Sequence, residues 1–567
     1  MRKSLLSACL LLMGMNIQAQ SFETAAQAVE HMGIGWNLGN TLDAHDGNLC
    51  PDIVKSETMW GQPVTRPELM AMMKEAGFMT IRVPVTWYPH MDENGKVDEV
   101  WMQRVHEVVD YVIDQGMYCV LNVHHDTGDG PQWLHASMEV YEAQKSRFEY
   151  LWTQIAEEFR DYDHHLLFEA YNEMLDKYNS WCFASFARTG GYNAADASDA
   201  YQAINSYAQS FVDAVRATGG NNSQRNLVVN TYAATCGSGT WNAHLADPLK
   251  EMALPDDPAG SGHIAFEVHC YPSIFKEDNS IRPMSEIKTE VNQAVSRINS
   301  HLVGKGAPVI IGEWAGTYVN KTEQNYEQRH QHLIDFVDFF VKTMKDNHIA
   351  TIEWMGLSDG AFRSDPVFSQ PDLAAAIAKA YHGDDYQGLW PSLDDRTEYV
   401  AFEGDKTLYW GKGIHIGAAI FAAMDKTLQL HLTYASNGQL NDCIQLYDGN
   451  WGEKTPFYVD GKSFNGDFNP NQYYAPSAES RTTVLTFSPE VYDILAQKGL
   501  IIHGEGITLT RAVLVNTTTG ITETIVEQPN DAPVYDLSGR RVTHPQRGIY
   551  IRRGKKFVVV NPSANSR

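Results

Sequence analysis

Along the first 385 residues, short apolar runs alternate with stretches whose apolar positions recur every three or four residues. The short runs are GIGWNLG (33–39), MTIRVPV (79–85), YCVLNVH (118–124), LLFEAYNE (166–173), NLVVNTY (226–232), IAFEVHCY (264–271), PVIIGEW (308–314) and ATIEWMG (350–356). Runs this short, bounded by turn residues, predict buried strands. Between them, RPELMAMMKEAG, WMQRVHEVVDYVIDQG, RFEYLWTQIAEEF and HQHLIDFVDFFVKTMKD gather their apolar side chains on one helical face, and Gly77 and Gly116 stop two of these helices. Eight strands alternating with helices over about 350 residues predict an α/β fold, a (β/α)8 TIM barrel. The rival, a doubly wound sheet, would carry G-x-G-x-x-G after its first strand, and GIGWNLG does not fit that spacing.

From about Asp394 the period changes to two. YVAFEG, IHIGAAIFA, TLQLHLTYA, CIQLYD, TTVLTF and GLIIHGEGITLTRAVLV predict short strands, with helical spacing only in EVYDILAQ. The expected organisation is a leader at 1–19, the barrel at 20–388 and an all-β sandwich at 394–516. A linker at 517–533 and a short β tail at 534–567 follow. The sandwich resembles a carbohydrate-binding module, with Trp410, Trp451, Tyr473 and Tyr474 as its stacking residues; the alternative is a spacer whose aromatics are core. The tail is basic where the rest is acidic, and it resembles the C-terminal sorting domains of Bacteroidetes-type secretion. Its alternative is a small β-meander with a solvated charged face.

The leader MRKSLLSACLLLMGMNIQAQ has the charged start, apolar centre and small residue (Ala19) of a secretory signal peptide. The protein is therefore expected to be secreted or held at the cell surface. LSAC at 6–9 matches a lipoprotein box but leaves almost no apolar region before it, and no later run is long enough to span a membrane. A net charge of −26 argues against nucleic acid and anionic membranes as partners and suits a neutral substrate. Cys119 and Cys270 lie in apolar runs and read as small core residues. No C-x-x-C spacing marks a zinc site.

Active residues of such barrels sit at the C-terminal ends of the strands. Here those ends carry Asn37, Arg82, His124, Asn172, Glu173, Tyr232, His269, Tyr271, Glu313 and Trp354. Glycosidic cleavage needs one carboxylic acid to protonate the leaving oxygen and a second carboxylate across the bond. Glu173 and Glu313, ending strands four and seven, fit those needs. An arginine beside the second carboxyl would keep it ionised, and the negative charge of that carboxylate would favour the protonated form of the first. A lone glutamate at a strand end is more often structural than catalytic; two, with this company, are not.

GWNLGNT, IRVPVTW, NVHHD, FEAYNE, VHCYP, IIGEW and EWMG together resemble glycoside hydrolase family 5, in its endoglucanase-like branch, over about residues 25–385. The resemblance implies a retaining two-step mechanism, with Glu173 as general acid/base and Glu313 as nucleophile. It also implies that Asn172 bonds the sugar 2-hydroxyl, that Arg82 and Tyr271 hold Glu313, and that His124 and His269 support the pair or touch sugar. Trp354 is similar to the platform under the sugar at the cleavage point. Asn37, His125, Trp133 and Trp241 are further expected to contact substrate, whereas Trp36 and Trp314 read as core.

The HH at 124–125 could suggest a metal, but a metal-dependent hydrolase barrel would offer H-x-H on strand one, where this chain has Asn37 and Gly39. No cofactor and no metal is expected. The reading is an endo-β-1,4-glucanase on cellulose-like or mixed-linkage glucan, expected to be a monomer. The alternatives are the same mechanism on xyloglucan, mannan or xylan, and a non-catalytic glycan-binding protein. Strand parity puts Glu169, Tyr171 and Glu173 on one face, and Glu169 lies too deep to reach sugar. Glu169 and Glu267 are expected to be buried carboxylates, with Arg82 as a candidate partner.

Overall fold

The structure, a computed structural model, describes residues 22–516 apart from 128–132, 181–191, 238–242, 261, 317–318, 320–324, 394–397, 410, 412 and 425–426, together with strands between 534 and 559. Each apolar run supplies one parallel strand of a closed barrel, in chain order: β1 (Ile34–Asn37), β2 (Thr80–Val83), β3 (Tyr118–Asn122), β4 (Leu166–Glu169), β5 (Leu227–Thr235), β6 (Ile264–His269), β7 (Val309–Trp314) and β8 (Ala350–Trp354). Outside it run α1 (Ala25–Met32), α2 (Ile53–Thr58), α3 (Pro67–Ala76), α4 (Glu99–Ile113), α5 (Met138–Glu158), α6 (Ala194–Ala217), α7 (Asp247–Glu251), α8 (Met284–His301), α9 (Tyr326–Asp346) and α10 (Pro371–His382). The helices form where the 3.6-residue pattern predicts them. In α4, for example, Trp101, Val105, Val108, Val109 and Val112 are buried. Gly77 ends α3 with φ +104°, a left-handed cap that glycine adopts without a Cβ clash.

The barrel interior is layered. At its base, Val120, Leu167, Val228, Ala265, Ile310 and Ile352 point inward and pack against Ala25, Ala28, Val29 and Met32 of α1. That helix, absent from the sequence-based expectation, plugs the bottom of the barrel. Thr24 and Gln27 close its first turn with a reciprocal capping box. Above this apolar plug the inward positions turn polar: Arg82, Asn122, Glu169, Asn230 and Glu267 are all fully buried.

The sandwich comprises β9 (Glu398–Leu408), β10 (Ile414–Ile416), β11 (Gln429–Ser436), β12 (Cys443–Asp448), β13 (Phe457–Val459), β14 (Lys462–Phe464), β15 (Asp467–Phe468), β16 (Arg481–Thr486), β17 (Leu500–Glu505) and β18 (Ile507–Val515). One sheet has the order β10-β17-β12-β15, the other β14-β13-β16-β11-β18-β9. Alternation in β11 turns Leu430, Leu432 and Tyr434 inward. EVYDILAQ forms the helix Pro489–Lys498, capped by Ser488. Phe362 and Val367, from the segment after β8, belong to the sandwich core along with Leu408, Leu430 and Leu514. The two bodies thus share packed apolar side chains.

β19 (Val534–Asp536), β20 (Arg541–Val542), β21 (Gly548–Arg552) and β22 (Lys555–Val559) form an antiparallel sheet of order β20-β19-β21-β22. The leader and the linker lie outside the described residues, as do Cys182 and Trp410. No helix among the described residues is long and apolar enough to cross a membrane. Cys119 and Cys270 are buried core residues, as their apolar surroundings predict.

Candidate active site

Arg82, projecting inward from β2 and wholly buried, organises the upper half of the barrel. Its Nε and Nη2 donate to the two oxygens of Glu169 at 2.7 and 2.8 Å, a fork-to-fork pair. Nη1 donates to Glu313 Oε1 at 2.8 Å and Asn37 Oδ1 at 2.9 Å, and Nη2 to Asn172 Oδ1 at 2.8 Å. Glu267 lies 3.5 Å from Nε. Asn122 and Asn230 each donate to Glu169 Oε1, so that carboxylate is saturated with donors. A buried guanidinium survives only with partners of this kind.

Glu313 is the link between this layer and the open mouth of the barrel. Tyr271 donates its hydroxyl to Glu313 Oε2 at 2.7 Å, and His269 Nδ1 lies 3.4 Å from the same oxygen. The same imidazole nitrogen is 2.7 Å from Glu173 Oε1. One oxygen of Glu173, one of Glu313 and a ring nitrogen of His269 therefore lie within 4.8 Å of one another. Glu313 is 5% exposed and Tyr271 47% exposed, so the pair faces solvent from Tyr271's side. His124 stands behind, its Nε2 4.0 Å from Glu313 Oε1 and its Nδ1 3.0 Å from Asn122.

Opposite charges lie side by side here. Burial alone would strip His269 of its proton, but the charge of Glu313 and bonds to Glu173 and Glu267 outweigh it and raise the imidazole to about 10. Burial pushes Glu313 above the ordinary carboxyl value, while His269 and Arg82 pull it back. Burial, reinforced by the neighbouring charge of Glu169, raises Glu267 to about 8. In Glu169, burial also works upward, but the Arg82 charge and its hydrogen bonds win and hold the carboxyl low. Near neutral pH, Arg82 and His269 thus carry positive charge beside the ionised Glu169, with Glu267 protonated between them.

The expected residues divide into those at the mouth and those below it. Glu173, Glu313, His269, Tyr271 and Asn172 converge. Trp354 closes another side, its ring parallel to His124 at 5.5 Å. His125 is partly exposed, with Nε2 3.7 Å from the buried Asp43. Asn37 does not face substrate. It is fully buried, accepts from Arg82 and donates to Gly312 O at 2.9 Å, tying β1 to β7. Trp133 is not a cleft wall either: its Nε1 donates to Asp126 at 2.6 Å and Arg147 covers its ring, leaving it 9% exposed. Trp241 lies outside the described residues.

Parity also failed for Tyr171. Strand β4 ends at Glu169, four residues earlier than the pattern suggested. Beyond it the chain turns, Tyr171 points outward to donate to the carbonyls of Ile204 and Asn230, and Asn172 and Glu173 both reach the mouth. A second group gathers around His125, and of its other members His45, Tyr88 and Asp43 carry no signal in the sequence. Trp60, 37% exposed, sits 5.4 Å from His125 and 5.2 Å from His45, whose Nδ1 is 2.8 Å from Tyr88 OH. Asp43 beneath them is raised by burial to about 6. These residues lie in loops, where no periodicity marks them.

Donor atoms of Asp43, His124 and His125, of Asp163, His164 and His165, and of Glu173, His269 and Glu313 are each close enough to share a metal ion. In the last group, His269 lies between the two carboxyls and Arg82 already holds one oxygen of Glu313. A carboxyl pair at the separation of Glu173 and Glu313 suits direct attack by one oxygen with proton transfer from the other; an intervening water needs more room.

Comparison with known proteins agrees with this chemistry. The family model described as "Cellulase (glycosyl hydrolase family 5)" matches residues 42–359, more than half of the chain. The chain is 33% identical over 377 residues to Endoglucanase A of Clostridium longisporum, covering 62% of this chain and 66% of that protein. It is 31% identical over 383 residues to Endoglucanase B of Neocallimastix patriciarum, covering 66% and 74%. Among solved structures, a broad-specificity endoglucanase from an uncultured bacterium is 56% identical with a TM-score of 0.61, covering 65% of this chain and 98% of that one. PbGH5A from Prevotella bryantii, whose mutant was solved with a xyloglucan tetradecasaccharide, is 40% identical with a TM-score of 0.57, covering 64% and 99%. The chain is a glycoside hydrolase and belongs to glycosyl hydrolase family 5.

Proposed function

We propose that this protein is a secreted, retaining endo-β-1,4-glucanase acting on cellulose-like or mixed-linkage glucan, with Glu173 as general acid/base and Glu313 as nucleophile. The observation that carries the reading is the approach of the two carboxyls to within 4.8 Å, bridged by His269. In the first step Glu313 attacks the anomeric carbon while Glu173 passes its proton to the departing glycosidic oxygen. The product is a glycosyl ester of Glu313. Glu173, now a carboxylate, takes a proton from water, and the hydroxide so formed displaces Glu313 with net retention. Arg82 and Tyr271 supply the donors that stabilise Glu313 as it leaves, and Asn172 is placed to bond the sugar 2-hydroxyl. Trp354 offers an indole face to the sugar at the cleavage point.

Xyloglucan is the second reading, favoured because the 40% identical PbGH5A was solved with a xyloglucan oligosaccharide. The test is a sugar-release panel on soluble mixed-linkage glucan, cellulose derivatives, xyloglucan, mannan and xylan, with the anomer of the first product followed by proton NMR. Glu173→Gln and Glu313→Gln are each expected to lower kcat by at least about 10²–10⁴-fold. Unchanged hydrolysis in either variant, or an inverted product, refutes the assignment. Export is tested by sequencing the N-terminus of protein recovered from the medium; a start at Gln20 is expected.

A further inference from the structure

Strands β5 and β6 lose register near the mouth of the barrel and recover it just before a pair of cysteines. Asn230 is matched with Glu267, and the next matched pair is Thr235 with His269. β5 therefore carries an extra turn between those two positions. Thr231 Oγ1 donates across it to Thr235 O at 2.8 Å, and Ala233 N donates to Met174 O at 3.1 Å. Ala233 and Ala234 sit in this turn with φ +52° and +48°. Two successive left-handed residues that carry a Cβ are unusual, because the Cβ crowds the backbone there. Once Thr235 is back beside His269, the next residue on each strand is a cysteine, Cys236 on one and Cys270 on the other.

The two side chains meet. Cys236 is 3% exposed and Cys270 1%, both belong to the apolar packing around the barrel, and their thiols are hydrogen-bonded to each other. Neighbouring strands run about 4.8 Å apart, inside the roughly 4.4–6.8 Å between Cα atoms that a disulfide joins. Both positions are tied to their surroundings. Cys270 N donates to Glu313 O at 2.9 Å, and Gly237 O, next to Cys236, accepts from Arg297 of α8. His269 and Tyr271, the chain neighbours of Cys270, both bear on the Glu313 carboxyl. A change at the cysteine pair is thus one residue away from the groups that hold Glu313.

We propose that Cys236 and Cys270 are oxidised to a disulfide that fastens the end of β5 to the end of β6 beside the Glu173–Glu313 pair. The oxidant is a disulfide compound such as oxidised glutathione. One cysteine thiolate attacks it, giving a mixed disulfide and releasing one half; the second cysteine thiolate then displaces the other half. The cysteine protons pass to the released sulfurs, so the protein gains one S–S bond and loses two hydrogens while the oxidant leaves as two thiols. Such an oxidant prevails outside the reducing cytosol, so this step rests on the export reading. In the closed barrel the bond from Cys236 and burial hold the Cys270 thiol well above its ordinary value, which keeps it protonated and slow to react. The disulfide therefore forms as the rim folds, before its sulfurs are sealed in. Once made, it restricts a loop of about thirty residues in the unfolded chain and helps to hold the left-handed alanines in place.

The test starts from the full chain purified under reducing conditions. It is held in a glutathione redox buffer with subdenaturing urea, trapped with acid, alkylated in denaturant and digested. The peptides of Cys236 and Cys270 are expected as one cross-linked species that carries no alkyl group. The oxidised enzyme is expected to melt at least about 3 °C above the same enzyme reduced again with a phosphine. Cys236→Ala is expected to show no such difference, and the peptide map of the unsubstituted chain decides the pairing whether or not that variant folds. Alkylation of both cysteines, a bond from either one to another cysteine, or equal melting of the oxidised and reduced enzyme overturns the proposal. Retention of the protein inside the cell with its leader uncut would remove the export reading, while the glutathione map would still decide the pairing.

Discussion

At the residue scale, the candidate site is a problem in placing charge inside a barrel. Burying one arginine is tolerable only when carboxylates surround it, and burying three carboxylates is tolerable only when one keeps its proton. Glu267, about 8 against an ordinary 4.5, is that one. Its protonation is a folded-state property, so above pH 4.5 the unfolded chain binds fewer protons than the folded one, and stability falls as pH rises toward 8. His269 acts in the same direction: its stabilisation is complete below 6.5 and is lost as pH climbs through about 10. Urea-unfolding midpoints are therefore expected to decline from pH 6.5 to 9. Glu267→Gln, which cannot ionise, should flatten the part of the decline below pH 8. A rise in stability over that window would contradict the charge assignment.

At the element scale, the strands act as rulers whose ends are set by packing rather than by pattern. Gly312 in β7 shows how little room there is. A Cβ at that position would come 1.5 Å from Glu267 Oε1, while the Gly312 carbonyl receives Asn37. Gly312→Ala must therefore displace the Glu267 carboxyl and shift the neighbouring Glu313. Overpacking of this kind costs about 1–3 kcal/mol, readable in denaturant unfolding. We expect kcat/KM to fall by at least tenfold (about 1.4 kcal/mol in the barrier), because Glu313 leaves its place against Arg82 and Tyr271. Wild-type kinetics in Gly312→Ala would show that the β7 end is not so constrained.

At the scale of the whole molecule, the segment after β8 ties the cleft to the sandwich. Phe362 and Val367 insert into the sandwich core. The adjoining Arg363 donates to Gly39 O and Thr41 Oγ1 at 3.0 Å and lies over Trp36 at 4.7 Å. Trp354 begins the same segment. The sandwich is thus expected to steady one wall of the cleft. Removing a buried phenylalanine costs about 3–5 kcal/mol. Phe362→Ser should accordingly lower the calorimetric transition of the sandwich and raise KM on long glucans more than it lowers kcat, with Phe362→Leu restoring most of both. A sandwich that melts earlier while the KM is untouched would mean the two bodies work independently.

Hydrophobic periodicity alone determined the eight strands, the outer helices α3, α4, α5 and α9 and the change to a two-residue period near Asp394. Burial of apolar faces is what drives those elements, and it is written locally. It also exposed Glu169 and Glu267 as interior carboxylates, because inward parity holds as long as a strand lasts. It misplaced Tyr171 and Asn37, since side-chain direction at a strand end depends on neighbours distant in sequence, and it could not foresee the burial of Trp133, which lies in a loop without periodicity. Asn37 is claimed by Gly312 and Arg82, Trp133 by Asp126 in its own loop and Arg147 of α5, and Tyr171 by the carbonyls of Ile204 in α6 and Asn230 in β5. Tertiary structure alone decided that α1 plugs the barrel floor, that His269 bridges the two glutamates and that Glu267 keeps a proton. Those outcomes follow from distances between residues up to hundreds of positions apart and from desolvation, neither of which a local pattern carries.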